Sequence, residues 1–200
     1  MSAATPPGGM RGGGMDGEAF DAEVAAGWAL AGEGGEAAEN AVLGHFREMA
    51  GRYAAEPRMA FHLASALDFA GEEAAAIPLY EAAILADLPD DELAQALTQL
   101  GSSLRNVGRH ADAVAVLSAA RSRYPGDAAI AAFLALALSS AGHPVRAVRT
   151  LVATLVDEVD SPEVARYGRV LRLYAAGLGE PPGPGSGADS GEGPSEPARD

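Results

Sequence analysis

Residues 99–114 read QLGSSLRNVGRHADAV, and the spacing of their apolar residues and glycines indicates how the chain folds. Counting from Leu97, apolar or small residues recur at i, i+3, i+4 and i+7, which is one face of an α-helix. Gly108 then ends that helix, as glycine commonly does after a helical C-terminus. A second stripe follows in helical spacing, formed by Ala113, Val116, Leu117 and Ala120. The stretch therefore predicts a helical hairpin.

The hairpin pattern occurs three times along the chain. Gly71, Gly108 and Gly142 are separated by steps of 37 and 34 residues. The same two steps connect further equivalent positions: Leu63, Leu100 and Leu134; Leu67, Leu104 and Leu138; Ala76, Ala113 and Ala147; Tyr80, Leu117 and Leu151; Ala83, Ala120 and Thr154. A period of this length is typical of a solenoid of stacked units. We therefore predict an all-α solenoid.

The repeating part of the chain resembles the tetratricopeptide repeat, a 34-residue helix-turn-helix. Residues 94–127 match best, through Leu97, Leu100, Gly101, Leu104, Gly108, Ala113, Leu117, Ala120 and Pro125. Residues 57–93 depart from the pattern at Leu88, where the family has proline, and residues 128–161 depart at Thr154 and Val159. The whole run is similar to the bacterial variety called the group-five tetratricopeptide domain. The resemblance implies a right-handed α-solenoid of about three repeats near these ranges, whose first helices form a concave polypeptide-binding face.

Additional helices are predicted on both sides of the repeats. Residues 19–31 and 36–54 read as a degenerate helix pair. Residues 161–178 begin with a capping serine followed by proline, and they predict a terminal helix that covers the last hydrophobic face. A small residue at positions 64, 101 and 135 is expected where the two helices of each hairpin touch.

The ends of the chain are rich in glycine and proline. Residues 1–17 and 179–200 have no periodic apolar face, so we predict that both are disordered tails around a domain at 18–178. The N-terminal stretch has no apolar core typical of a signal peptide, and no segment is long and apolar enough to span a membrane. With no cysteine in the chain, these features predict a cytoplasmic protein.

The charge is acidic and unevenly distributed. The net charge of −14 argues against binding to nucleic acid or to anionic membranes. Residues 1–100 hold 4 arginines against 17 acidic residues, whereas residues 101–200 hold 10 arginines against 11 acidic residues. The chain has no lysine.

The sequence predicts neither catalysis nor a cofactor. None of the four histidines has a second histidine four residues away, and phosphate-binding, dinucleotide-binding and serine-nucleophile motifs are missing. His110 and His143 fall in turns of successive repeats, so we interpret them as structural. We expect no metal site and no enzyme activity.

The resemblance directs attention to the first helices of the repeats as a peptide-binding groove. The residues expected to face it are Arg58, His62, Ser65, Phe69, Gln95, Gln99, Ser102, Arg105, Asn106, Ala132, Leu136, Ser139, Arg166 and Arg169. Amide, hydroxyl and guanidinium groups on one helix face can bond to a polypeptide backbone or a carboxylate. The alternative is that the same groups form a solvated helix face or fasten neighbouring repeats. Family members that clamp a C-terminal carboxylate use lysine with asparagine, so that ligand is not carried over.

Two functional hypotheses follow. The first is a non-catalytic scaffold that binds a protein or peptide in the groove. The second is head-to-tail self-assembly, because the N-terminal half is strongly acidic and the C-terminal half is nearly neutral.

Overall fold

The computed structural model describes residues 15–86 and 88–179, and this part of the chain is built of helices. The helices are α1 Met15–Ala29, α2 Glu36–Arg52, α3 Met59–Phe69, α4 Glu73–Leu85, α5 Asp90–Asn106, α6 His110–Arg123, α7 Ala128–Ser140, α8 Pro144–Glu158 and α9 Pro162–Gly177. The predicted all-α solenoid is therefore confirmed. The predicted tails lie outside the described residues except at 15–17, which belong to α1, and at 179.

The three repeats are the hairpins α3–α4, α5–α6 and α7–α8, stacked in chain order. Each hairpin turns at a glycine with positive φ: Gly71 at 73°, Gly108 at 84° and Gly142 at 81°. That conformation is strained for other residues and easy for glycine. It lets the amide that follows the glycine bond back into the last helical turn, as Arg109 N does to Leu104 O at 2.8 Å.

A glycine at the centre of the second repeat sets the closest approach of its two helices. A Cβ built on Gly101 would lie 2.7 and 2.8 Å from the two methyl carbons of Leu117, which is fully buried. The predicted need for a small residue at this position is thus confirmed. Equivalent positions in the other two repeats hold the buried alanines Ala64 and Ala135.

The segment before the repeats forms a hairpin of the same kind. A Cβ on Gly27 in α1 would lie 2.9 Å from the ring of Phe46 in α2, so Gly27 takes the place that Gly101 has in the second repeat. Gly34, seven residues later, has a φ of 86° like the turn glycines of the repeats. Phe20 anchors α1 through ring contacts with Tyr53 and His62.

The starts of the helices follow two different rules. Asp127 and Ser161 cap α7 and α9 through side-chain oxygens that accept from Ile130 N and Val164 N. At the start of α5, Pro89 holds the cap position and no side chain caps the helix. The Asp90 carboxylate accepts from the guanidinium of Arg123, the last residue of α6, and from the hydroxyl of Tyr124, which follows it.

The predicted terminal helix is present as α9 and packs on the last hairpin. It packs against α8 through a stripe of Val164, Gly168, Leu171 and Ala175. Gly168 allows a close approach to Val156, with 3.0 Å from its ideal Cβ to the valine methyl, and Arg149 donates to the carbonyls of Ala175 and Leu178 at 2.8 and 2.7 Å. Because α9 uses this side of α8, it leaves Leu151 exposed. The terminal helix thus covers only part of the apolar surface of the last hairpin.

Candidate polypeptide-binding face

The first helices of the three repeats, α3, α5 and α7, lie side by side in contact. We call the surface they form the concave face. The predicted groove residues on α5 and α7 belong to this surface, whereas those on α3 and α9 have different surroundings.

An open cleft between α5 and α7 is the main feature of the concave face. Its volume is about 500 Å³. Its lining residues are Asp91, Ala94, Gln95, Thr98 and Gln99 from the α5 side, and Asp127, Ala129 and Phe133 from the α7 side. The structure thus brings the predicted residues Gln95 and Gln99 together in one cleft.

The cleft combines an apolar surface with polar and acidic groups. Phe133 is half-buried and packs against the core, so its ring forms a fixed wall. Gln95 is exposed, while Thr98 is half-buried with its hydroxyl donating to Ala94 O at 2.7 Å. Asp91 and Asp127 add two carboxylates from different helices. The cleft therefore offers an apolar surface, amides and negative charge to one ligand.

The sequence predicts only two of the eight residues that line this cleft, although a signal for the α7 side is present. Ala129 and Phe133 stand 34 residues after Gln95 and Gln99, which is one repeat further on in the same register. The register therefore marks all four as one face of successive first helices. Ala129 and Phe133 are not predicted as binding residues from the sequence, because alanine and phenylalanine have no polar group that indicates such a role.

The polar residues at the end of α5 are engaged in bonds within the array. Arg105 donates to Asn106 Oδ1 at 2.9 Å, and Asn106 Nδ2 donates to Glu73 Oε1 of α4 at 3.3 Å. The bond between Asn106 and Glu73 fastens the second repeat to the first, which is the alternative interpretation of this face. The Nε of Arg105 is buried without a hydrogen-bond partner, and Ser102 beside it is half-buried.

Arg58 and His62 lie beneath α1 rather than in an open groove. Arg58 forms ion pairs with Asp21, Glu56 and Glu92 at 2.8, 3.1 and 3.4 Å, and its guanidinium stacks on Phe20. His62 is buried, and burial together with the charge of Arg58 lowers its pKa to about 4. Its 3.7 Å approach to Glu92 is therefore not an ion pair at neutral pH.

Ser65 and Phe69, the other predicted residues of α3, also make contacts inside the protein. Ser65 is buried, donates to Phe61 O at 3.0 Å and accepts from the Tyr80 hydroxyl at 3.4 Å. Phe69 is 37% exposed and meets Trp28 of α1 edge-on. Of the α3 residues predicted for the groove, Phe69 alone presents an exposed side chain.

The two arginines predicted on α9 do not extend the concave face. Arg166 and Arg169 are exposed, but α9 packs against α8 and not as the next first helix beside α7. In the third repeat Ala132 is half-buried, while Leu136 and Ser139 are exposed.

The structure brings His110 and His143, at the starts of α6 and α8, to one shallow cleft. His110 and His143 line it with Val114 and Ser140, and its volume is about 430 Å³. Within residues 15–86 and 88–179, no group of three or more histidines and acids is placed to hold a metal ion. Likewise, none of the helices described here is both long and apolar enough to cross a membrane.

Stacked helical hairpins with a glycine turn and a small-residue contact define the class of helical-repeat proteins. The sequence model of the family described as Tetratrico peptide repeat matches residues 57–178. The chain belongs to this family, and the resemblance to the group-five tetratricopeptide domain is confirmed.

Two solved structures share the fold. The "MamA RS-1 ArsTM double mutant" is 16% identical over 82% of this chain and 96% of that chain, with a TM-score of 0.54. "MamA 41-end from Desulfovibrio magneticus RS-1" is also 16% identical, covers 82% of this chain and 90% of that chain, and gives a TM-score of 0.57. At this identity the likeness concerns the fold alone. A search of curated proteins finds no match.

Proposed function

We propose that this protein is a non-catalytic scaffold whose concave face binds an extended polypeptide segment in the cleft between α5 and α7. Membership of the tetratricopeptide family supports a protein–protein interaction scaffold, and the family is generally non-catalytic. The observation that carries the finer proposal is the open cleft with Gln95 and Gln99 beside the ring of Phe133.

The cleft chemistry fits an extended chain with alternating side chains. An extended polypeptide leaves its backbone amides and carbonyls unpaired, and a glutamine amide both donates and accepts hydrogen bonds. An apolar side chain of the partner would pack on Phe133 and the neighbouring alanines. The next polar position would lie near Asp91 and Asp127, where a basic side chain is favoured over an acidic one.

Peptide selection tests the proposal directly. A displayed library of random 12-residue peptides is selected on the intact chain, and the enriched peptides are titrated by fluorescence anisotropy. We expect enrichment of peptides that combine an apolar and a basic residue. For these peptides, changing both Gln95→Ala and Gln99→Ala should raise Kd about tenfold or more, which corresponds to roughly 1.4 kcal/mol.

An amide outside the cleft provides the matched control. Asn40 is exposed on α2, so Asn40→Ala removes a similar group without touching the cleft and should leave Kd unchanged. Asp91→Asn should weaken the basic peptides selectively. The proposal fails if no peptide is enriched, or if the enriched peptides bind the double variant as well as they bind the intact chain.

A further inference from the structure

The C-terminal end of the array leaves an apolar face uncovered. Val148, Leu151 and Leu155 on α8 are 45, 47 and 41% exposed, and Leu136 on α7 is 50% exposed. We call these four residues the terminal face. They follow one side of α8 and the adjacent part of α7, so they form a continuous surface and not scattered exposed leucines.

The equivalent positions in the earlier repeats are buried or half-buried. Tyr80 and Leu117 occupy the place of Leu151 and are both fully buried, and Ile77, in the place of Val148, is 6% exposed. In those repeats the first helix of the next unit packs on the hairpin: α5 on α4, and α7 on α6. The terminal face therefore corresponds to the surface that, in the earlier repeats, packs against the first helix of the next repeat. At this end no such helix packs on it.

Neither the position of α9 nor the composition of residues 180–200 provides the missing half. The helix α9 packs on the side of α8 that carries Val152 and Val156, and its Arg172 pairs with Asp157. Residues 180–200 contain no leucine, isoleucine, valine, methionine or aromatic residue. They have too little apolar surface to cover four large aliphatic side chains.

The N-terminal end of the array presents the second half of this interface. With Gly27 in the register of Gly101, Ala22 of α1 takes the place of Met59, Ala96 and Ile130 in the later first helices, and Ala29 takes the place of Ala66, Ser103 and Ala137. All six counterparts are buried, because they pack on the preceding unit. Ala22, Ala26 and Ala29 are instead exposed.

We propose that α1 of a second copy of this chain docks on the terminal face, where it takes the place of the first helix of a fourth repeat. Small side chains on α1 allow its backbone to come close to the large side chains of the terminal face. Charge favours this pairing over like ends, since the N-terminal half is strongly acidic and the C-terminal half is nearly neutral. The contact differs on the two copies, so it continues from copy to copy as a ring or a filament.

Complementation between two blocked variants of the full chain tests this pairing. Leu151→Glu blocks the terminal face, and Ala26→Glu blocks α1. Sedimentation velocity over increasing protein concentration should show assemblies for the intact chain and a single copy for each variant. A mixture of the two variants has one usable α1 and one usable terminal face, so it should form a pair and stop there.

Exposed positions elsewhere provide matched controls. Leu85→Glu and Ala119→Glu introduce the same charge at exposed sites on α4 and α6, and both should assemble like the intact chain. Val148→Glu should repeat the effect of Leu151→Glu, and circular dichroism checks that each variant remains helical. The inference is overturned if the intact chain stays a single copy at all concentrations, or if the mixed variants do not pair. It is independent of the cleft between α5 and α7, which these substitutions do not touch.

Discussion

At the scale of single residues, His62 shows how packing determines the chemistry of a side chain. It lies among Phe20, Phe46 and Phe61, with the Arg58 guanidinium nearby. Burial penalises the charged imidazolium, and the positive charge of Arg58 penalises it further, so the pKa is lowered from 6.5 to about 4. In the folded protein His62 is therefore neutral at physiological pH.

This pKa shift predicts a specific loss of stability in mild acid. The unfolded chain takes up the proton below about pH 6.5, while the folded chain resists it down to about pH 4. Stability is therefore present above the unfolded pKa and falls as the pH drops through this window, by about 2 kcal/mol between pH 7.5 and pH 5. Urea unfolding at both pH values would measure it.

The variant His62→Leu isolates this contribution from other groups that titrate. Burial raises the pKa of Glu92, and hydrogen bonds from Arg52 lower that of Glu23, but both carboxyls are present in both proteins. The variant should lose less stability than the intact protein on going to pH 5. An equal loss in the two proteins would show that His62 is not the titrating group.

The sequence predicts which side of α3 holds His62 and Ser65, but not that they are buried. Their positions in the repeat are those of groove residues. His62 is buried because Phe20 of α1 packs on its ring, and no periodicity in residues 15–29 reveals this contact. Ser65 is buried and hydrogen-bonded to Phe61 O and to the Tyr80 hydroxyl of α4.

At the scale of elements, the distance between paired helices is set by one position per hairpin. Gly101 lies against Leu117, which is fully buried and has no room to move aside. Sequence reasoning identifies this contact correctly, because the small residue recurs in register in all three repeats. The position of α9 on α8 is not predictable from the repeat register, because the sequence after the third repeat offers no further repeat for comparison.

Gly101→Ala should destabilise the protein although alanine is the better helix former. Its methyl group would overlap the Leu117 side chain, and overpacking of this kind costs about 1–3 kcal/mol, which exceeds the gain of up to about 1 kcal/mol in helix propensity. We expect a net loss of about 1 kcal/mol in the free energy of unfolding, measured by chemical denaturation.

Gly44 provides the control within another helix. It lies inside α2 with no atom within 4 Å of an added Cβ, so Gly44→Ala should raise stability by roughly 0.5–1 kcal/mol. A stabilising effect at both glycines would contradict the proposed role of Gly101 as the contact point of the hairpin.

At the scale of the whole molecule, each hairpin is held by its neighbours along the array. Hairpins in the middle of the array have a neighbouring hairpin on both sides, whereas α1 and α9 lie at its two ends. In such a linear array the ends open more easily than the centre. The repeat period of the sequence predicts this linear arrangement. It does not predict that Leu151 is exposed, because this exposure arises where no further first helix packs on α8. The sequence pattern at Leu151 matches that at Leu117, which is buried.

Hydrogen exchange should therefore follow position in the array. We expect amides in α5 and α6 to exchange most slowly, and those in α1 and α9 to exchange at least about tenfold faster at protein concentrations too low for assembly. Mass spectrometry of deuterium uptake, resolved by peptide, measures this gradient. Uniform protection from α1 to α9 would show that the described part of the chain opens as a single unit.

The positive-φ glycines at the hairpin turns have an evolutionary consequence. Gly71, Gly108 and Gly142 have similar φ angles of 73°, 84° and 81°, so the three hairpins turn in a similar way. A gene segment that encodes one hairpin can therefore be duplicated or deleted in frame without reorienting its neighbours. We therefore expect homologous chains to differ most readily in the number of complete hairpins. The number of hairpins can change without a change in the residues on the faces of those that remain.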